Sequence, residues 1–118
     1  MKIKIKLINN GTMPQKQHEQ DACFDCYANE ELTIEVGKRA KVPLGFALQL
    51  PDNWEAQIRP RSGLSSKGID NCIGTWTLIT GEVCAIICNN SDTPFEIKKG
   101  DRICQMAIRM VMFPEKCF

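Results

Sequence analysis

The amino-acid sequence predicts an all-β fold in one domain, residues 1–118. Apolar and polar residues alternate with a period of two in several segments. Turn-forming residues recur at intervals of about 8–12 residues, the spacing typical of a β-sandwich or barrel. In addition, no segment of useful length has the 3.6-residue apolar period of an amphipathic helix.

The individual strands follow from these patterns and from the prolines and glycines that close them. Lys2 to Ile8 alternates, and so do residues 32–36 before Gly37. Further strands are predicted at 41–51, 54–60, 81–91 and, on either side of a Lys-Gly-Asp turn, within 95–113. Residues 10–20 predict a loop.

The charge balance excludes two classes of partner. Fifteen Lys and Arg residues face fourteen Asp and Glu residues, a formal net charge of +1. A general nucleic-acid binder or anionic-membrane binder needs a basic excess, so neither partner is expected. The N-terminus has no apolar signal segment, and no run approaches the ~18 apolar residues of a membrane span.

The seven cysteines predict free thiols in a reducing compartment, and therefore a cytoplasmic location. Cys23 and Cys26 have C-x-x-C spacing, but the βαβ context of a redox pair is missing. Cys84 and Cys88 form a second close pair inside an apolar strand, and the single histidine, His18, lies in a polar loop. This pattern disfavours a zinc or other metal–thiolate site, which needs four converging ligands.

The C-terminal strand carries an apolar run that predicts either core or a subunit interface. Methionine and aromatic residues are enriched at interfaces, so we favour oligomerisation. The run comprises Ile103, Met106, Ile108, Met110, Val111, Met112 and Phe113.

The segment IRPRSGLSSKG, residues 58–68, is suited to holding an anion. Arg61 can grip phosphate oxygens with two parallel hydrogen bonds, which a lysine cannot. Ser62 adds a hydroxyl, and Gly63 lets backbone N–H groups approach an oxygen closely. The alternative interpretation is a solvated basic turn between two strands.

Four motifs in order resemble those of the trimeric dUTPase family. LPDNWEAQIRPRSGLSSKG (50–68) is similar to the second motif, and DACFDCYA (21–28) is similar to the first. NCIGT (71–75) followed by GEV (81–83) is similar to the third motif, and KKGDRICQMAI (98–108) to the fourth. Each motif is short, but four of them in the family's order favour a common origin.

The resemblance implies a jelly roll of the β-clip type, assembled as a homotrimer with active sites at the subunit interfaces. It implies hydrolysis of dUTP to dUMP and pyrophosphate with Mg²⁺, the metal being held through water by Asp25. The implied substrate-binding residues are, for the phosphates, Arg61, Ser62, Gly63 and Gln105, and, for uracil, Asn71 and Gly74. Oxygen ligands for the metal and fixed donors for the phosphate oxygens are what such a complex needs.

The third motif departs from the family at the aspartate that orients the attacking water. Its place is taken by Thr77 when the motif is matched from Gly74, or by Trp76 when it is matched from Gly81. There is no Asp or Glu between Asp70 and Glu82. The family's hairpin tyrosine is replaced by Ile79, and the glycine-rich fifth motif is absent before the chain stops at PEKCF.

These departures predict a family member that is catalytically inactive or severely impaired but keeps part of the phosphate site. Such a protein could act through a protein partner, with Trp54 and Trp76 as anchors if they are exposed. The alternative is an active dUTP diphosphatase or related nucleotide hydrolase, with altered base specificity and a relocated base, for which Asp70 and Glu82 are candidates. A short chain with an altered site would suit a viral or phage copy inside an infected host cell.

Overall fold

The computed structural model describes residues 1–72 and 74–115. These residues form eleven strands and one helical turn, so the all-β prediction is confirmed. The elements are β1 (Lys4–Leu7), β2 (Cys23–Tyr27), β3 (Leu32–Ile34), β4 (Arg39–Pro43), β5 (Phe46–Gln49), β6 (Trp54–Arg59), α1 (Ser62–Ser65), β7 (Ile69–Asn71), β8 (Gly74–Thr77), β9 (Cys84–Asn89), β10 (Phe95–Ile97) and β11 (Arg102–Met110).

The strands assemble into two larger sheets and two strand pairs. One sheet has four strands in the order β2-β11-β6-β8, and another has three in the order β4-β9-β7. β1 pairs with β5 and β3 pairs with β10, and all of these pairings are antiparallel. The long strand β11 lies at the centre of the four-stranded sheet, where it contacts β2 on one side and β6 on the other.

The core is built from the inward positions of alternating strands. On β6, Ala56 and Ile58 are almost fully buried, and on β9, Ala85 and Ile87 are as well. Their neighbours in sequence point outwards, as the period-two pattern predicts. Trp54 is half-buried and packs against this core, as expected for an aromatic residue in a structural role.

The segment 41–51 was predicted as one strand and this is wrong, because the chain turns at Gly45 and forms two strands, β4 and β5. Gly45 has a φ of +77°. A Cβ on Gly45 would lie 2.6 Å from the Cα of Gly11, so the two backbones touch here. Only glycine combines this left-handed backbone with so close an approach.

Asn89, at the end of β9, is a fully buried polar residue that joins three segments. Its Nδ2 donates to the carbonyl of Ile34 at 2.8 Å and to that of Thr93 at 2.9 Å. Its Oδ1 accepts from the hydroxyl of Ser91 at 2.6 Å and from the Ser91 backbone N–H at 3.0 Å. The carboxamide is thus satisfied on both sides, as a buried polar group must be.

We expect Asn89→Ala to lower the free energy of unfolding by about 2–3 kcal/mol. The substitution leaves the carbonyls of Ile34 and Thr93 without their donor and opens a small cavity. Urea unfolding followed by circular dichroism measures the change. Asn90→Ala is the matched control, since Asn90 is the next residue and is exposed. Equal losses in the two variants would contradict the role given to the buried carboxamide.

The apolar run of the C-terminal strand divides between core and surface. Ile103 and Met106 are buried, whereas Met110, Met112 and Phe113 are exposed, with 65%, 85% and 75% of their surface accessible.

The described residues contain no helix of the length and apolarity needed to cross a bilayer.

Candidate functional site

A polar pocket of about 340 Å³ opens where β2, β11 and the turn α1 meet. Strand pairing places Gln105 of β11 directly between Asp25 of β2 and Arg59 of β6. The segment after β6 then forms α1 and carries Arg61, Ser62 and Gly63 over the same end of the sheet. Five residues predicted from separate motifs therefore line one pocket: Asp25, Arg61, Ser62, Gly63 and Gln105.

Asp25 is held in place by two donors, both on its Oδ2 oxygen. Arg102 Nη1 forms an ion pair with it at 3.1 Å, and Gln17 Nε2 donates to it at 3.0 Å. Only 14% of the Asp25 side chain is accessible. The carboxylate is thus oriented and lies beside the cationic groups that would bind phosphate.

The donors of the pocket are fixed by backbone carbonyls rather than left free to move. Arg61 Nη1 donates to the carbonyl of Arg102 at 3.1 Å, and Gln105 Nε2 donates to the carbonyl of Pro60 at 3.0 Å. A Cβ on Gly63 would meet no atom within 4 Å, so the space above its backbone is open to a ligand. Such preorganised donors suit an anion with several oxygens.

Five further residues line the pocket that residue-by-residue reasoning missed: Gln17, Asp21, Ala22, Cys23 and Arg102. Asp21 lies in the loop before β2, where its Oδ2 accepts the backbone N–H of His18 at 2.8 Å. Arg102 lies inside the fourth motif, so its position in the motif was the one signal that could have identified it. Gln17 lies in the predicted loop 10–20, which carries no pattern that points to this pocket.

Asn71 and Gly74 lie outside the polar pocket of the same chain. Asn71 is buried at the end of β7, and its Nδ2 donates to the Cys72 carbonyl at 3.1 Å. Gly74 begins β8 and borders a separate hollow of about 300 Å³. That hollow is lined by Lys41, Cys72, Gly74, Trp76, Cys84 and Ile86.

Comparison with known proteins agrees with this geometry. The dUTPase family profile matches residues 9–115. The chain is 42% identical over 112 residues to the deoxyuridine 5'-triphosphate nucleotidohydrolase of Picosynechococcus sp., covering 92% of this chain and 79% of that protein. It is 37% identical over 115 residues to the protein of the same name from Clostridium tetani, covering 93% and 79%. The chain belongs to the dUTPase family.

Solved structures show that the fold is shared as well. The dUTPase of Staphylococcus bacteriophage 80alpha superposes with a TM-score of 0.92 at 22% identity, covering 99% of this chain and 95% of that one. The dUTPase of phage phi11 superposes with a TM-score of 0.93 at 20% identity, covering 100% and 96%. The predicted jelly roll is confirmed.

In this dUTPase-family chain, the hairpin strand β8 presents Thr77 and not Trp76 on its outer face. Thr77 is exposed and pairs with Glu55 of β6. Trp76 is half-buried, packs against the core, and its indole nitrogen lies 3.6 Å from the position of a Cβ on Gly74. The indole therefore lines the hollow beside Gly74 rather than standing exposed as an anchor.

The two acidic residues considered as candidates for a relocated general base do not line the polar pocket. Glu82 is engaged structurally, because its Oε2 accepts the backbone N–H of Gly45 at 3.2 Å. Asp70 lies on β7, opposite Cys88 in the three-stranded sheet. Ile79, at the position of the family's hairpin tyrosine, is exposed over 76% of its surface.

The C-x-x-C pair is divided between the site and the core. Cys23 borders the polar pocket, whereas Cys26 is buried and pairs with Cys104 across the sheet. A hydrogen bond with Cys104, together with burial, raises the pKa of the Cys26 thiol well above its usual range. Among residues 1–72 and 74–115, no three His, Cys, Asp or Glu side chains converge as metal ligands, and the six cysteines are free thiols.

Proposed function

We propose that this protein binds a nucleoside triphosphate of the dUTP type, complexed with Mg²⁺, and hydrolyses it far more slowly than relatives that carry the hairpin aspartate. The observation that supports the proposal is a contrast between two parts of the molecule. The polar pocket is assembled, with Arg61 and Gln105 held by backbone carbonyls. The hairpin strand offers only Thr75, Trp76 and Thr77 where a carboxylate would orient water.

The carboxylates of the pocket fit a hard cation. Asp21 and Asp25 both line it, and Mg²⁺ prefers carboxylate and water oxygens together with substrate phosphates. Asp25 would hold the hydrated ion while Arg61, Ser62 and Gln105 bind phosphate oxygens. When bound, the ion would supply charge neutralisation on those oxygens.

The slow rate follows from the missing hairpin aspartate. General-base help contributes typically about 10²–10⁴-fold to a rate. A threonine hydroxyl does not take a proton from water near neutral pH, so Thr77 does not replace the aspartate in this role. Binding is expected to persist because the residues that grip phosphate do not depend on the hairpin of the same chain.

A non-hydrolysable dUTP analogue, titrated calorimetrically with and without Mg²⁺, tests binding. Pyrophosphate release from dUTP, assayed beside the Clostridium tetani relative, tests turnover. We expect saturable, Mg²⁺-dependent binding and a release rate about 10²-fold or more below the relative's. Release at the relative's rate, or no binding of the analogue, would overturn the proposal.

A hydrolase with altered base specificity is the second candidate. Its support is the replacement of side chains on the hairpin, where Trp76 forms part of the wall and Ile79 is exposed. The same release assay run with each deoxynucleoside triphosphate separates the two. Fast release from a triphosphate other than dUTP would favour this candidate.

A homotrimer in the cytoplasm remains part of the proposal. Three large apolar side chains at the end of β11 are exposed in the single chain: Met110, Met112 and Phe113. Their burial between subunits would be favourable. The separation of Asn71 and Gly74 from the phosphate pocket also supports a site shared between chains, as the family resemblance implies. A further protein partner is a separate proposal, which would need a surface other than Trp76.

A further inference from the structure

Three polar side chains follow one another along the outer face of β6. Arg59 donates from Nε and Nη2 to the Oε1 of Gln57, at 3.1 and 2.9 Å. Gln57 in turn donates from Nε2 to the Oε1 of Glu55 at 2.9 Å. All three side chains are half-buried.

This chain of hydrogen bonds fixes the orientation of Glu55. Gln57 Oε1 accepts hydrogen bonds from Arg59, so the amide nitrogen of Gln57 is the atom that faces Glu55 and donates to it. Glu55 Oε1 is therefore an acceptor, and the carboxylate has a defined direction. Its second oxygen, Oε2, can accept a hydrogen bond from another group.

Strand pairing places Glu55 beside the position from which the aspartate is missing. Glu55 of β6 is the direct partner of Thr77 of β8. The Cβ atoms of such a pair lie about 4.5–5.5 Å apart, so a glutamate can reach the space in front of the neighbouring residue. The partner of Glu55 on the other side is Arg109 of β11, which is exposed.

Glu55 cannot serve the phosphate pocket of its own chain. It lies four residues from Arg59, which pairs with Gln105 at the pocket, and four strand residues span about 13 Å. A water molecule activated by Glu55 can therefore reach a bound triphosphate only if that triphosphate lies in the pocket of a second copy. That pocket must face the end of the β6–β8 pair that carries Glu55.

We propose that Glu55 is the carboxylate that activates water for the slow hydrolysis, in a site that the phosphate pocket of a second copy completes. This inference rests on the proposed function. Glu55 takes one proton from water while the water oxygen attacks the α-phosphorus. The bond from that phosphorus to the bridging oxygen breaks, and pyrophosphate leaves with its electron pair. The nucleoside monophosphate is the other product, and the proton is then returned to solvent.

Glu55→Gln tests the proposal, with Glu96→Gln as the matched control. Glu96 is likewise a strand glutamate opposite a threonine, Thr33, but it lies in a different strand pair. We expect Glu55→Gln to lower pyrophosphate release about 10-fold or more, at least part of the about 10²–10⁴-fold typical of general-base catalysis, and Glu96→Gln to leave it unchanged. Binding of the non-hydrolysable analogue should change less than about twofold in both variants.

A further variant separates catalysis from a structural role. Glu55→Asp, which keeps the carboxylate but withdraws it by one methylene, should retain part of the rate. Equal pyrophosphate release from wild type and Glu55→Gln, including no release from either, overturns the inference about Glu55. If the analogue still binds in that case, the proposed function is not contradicted. If the wild-type protein fails to bind the analogue, the proposed function fails first.

Discussion

Thr77→Asp is expected to raise pyrophosphate release by about 10²-fold, the lower end of the contribution of a general base. The substitution returns a carboxylate to the outer face of β8, where Thr77 is exposed and free of packing constraints. The new side chain stands opposite Glu55, and like charges on paired strand positions repel. We therefore expect a small loss of stability together with the gain in rate. Steady-state release from dUTP with Mg²⁺ measures the gain.

Thr75→Asp is the control for this prediction. Thr75 lies on the same strand and the same exposed face, two residues away, opposite Gln57. A carboxylate there adds the same charge but at a different distance from the bound triphosphate. An equal gain in release rate in both variants would mean that added charge rather than geometry is responsible. No gain in release rate in Thr77→Asp would contradict the alignment that places the missing aspartate at Thr77.

Arg61→Ala is expected to weaken binding of the Mg²⁺–dUTP analogue by about 10–100-fold. Hydrogen bonds to charged groups contribute about 1.5–3 kcal/mol. Of the two arginines that line the pocket, Arg102 is paired with Asp25, whereas the Arg61 guanidinium is held by a backbone carbonyl. Arg61→Lys should recover only part of the affinity, because an ammonium group cannot form two parallel bonds to a phosphate. Calorimetric titration at fixed ionic strength measures the three affinities.

Arg39→Ala controls for the loss of a positive charge. Arg39 is exposed on β4, in the three-stranded sheet and outside the phosphate pocket. We expect its removal to change the affinity less than about twofold at physiological salt, where exposed charges beyond about 8 Å are screened. Affinity losses of the same size in both variants would show that Arg61 acts through the general field and not through contact with phosphate.

The fold was predictable because its signals are local. Apolar runs bounded by turn residues and proline identified the strands around Ile58 and Ile87, and both residues are buried. The break at Gly45 was not predictable from alternation, since it depends on contact with the backbone of Gly11, more than thirty positions earlier in the chain. The short turn α1 was also missed, because four residues are too few to show a helical period.

The site was predictable in part, for a related reason. Asp25, Arg61, Ser62, Gly63 and Gln105 each stand in a recognisable motif, and the structure brings all five to one pocket. The roles of Gln17 and Glu55 depend on which segments pair, and such pairing leaves no mark in the neighbouring sequence. The same is true of Glu82, which looked like a candidate acid but accepts a backbone hydrogen bond from Gly45.

The sequence by itself determined the strand-rich architecture, the family, the segment proposed to bind an anion and the absence of an acid between Gly74 and Gly81. These properties depend on which residues are present and on their order over short stretches, and the sequence contains both. Only the tertiary structure decided that Arg102 forms an ion pair with Asp25, that Glu55 lies opposite Thr77, and that β8 lies apart from the polar pocket of its own chain. Those facts arise from registers between strands distant in the chain, which are selected by packing of the whole core.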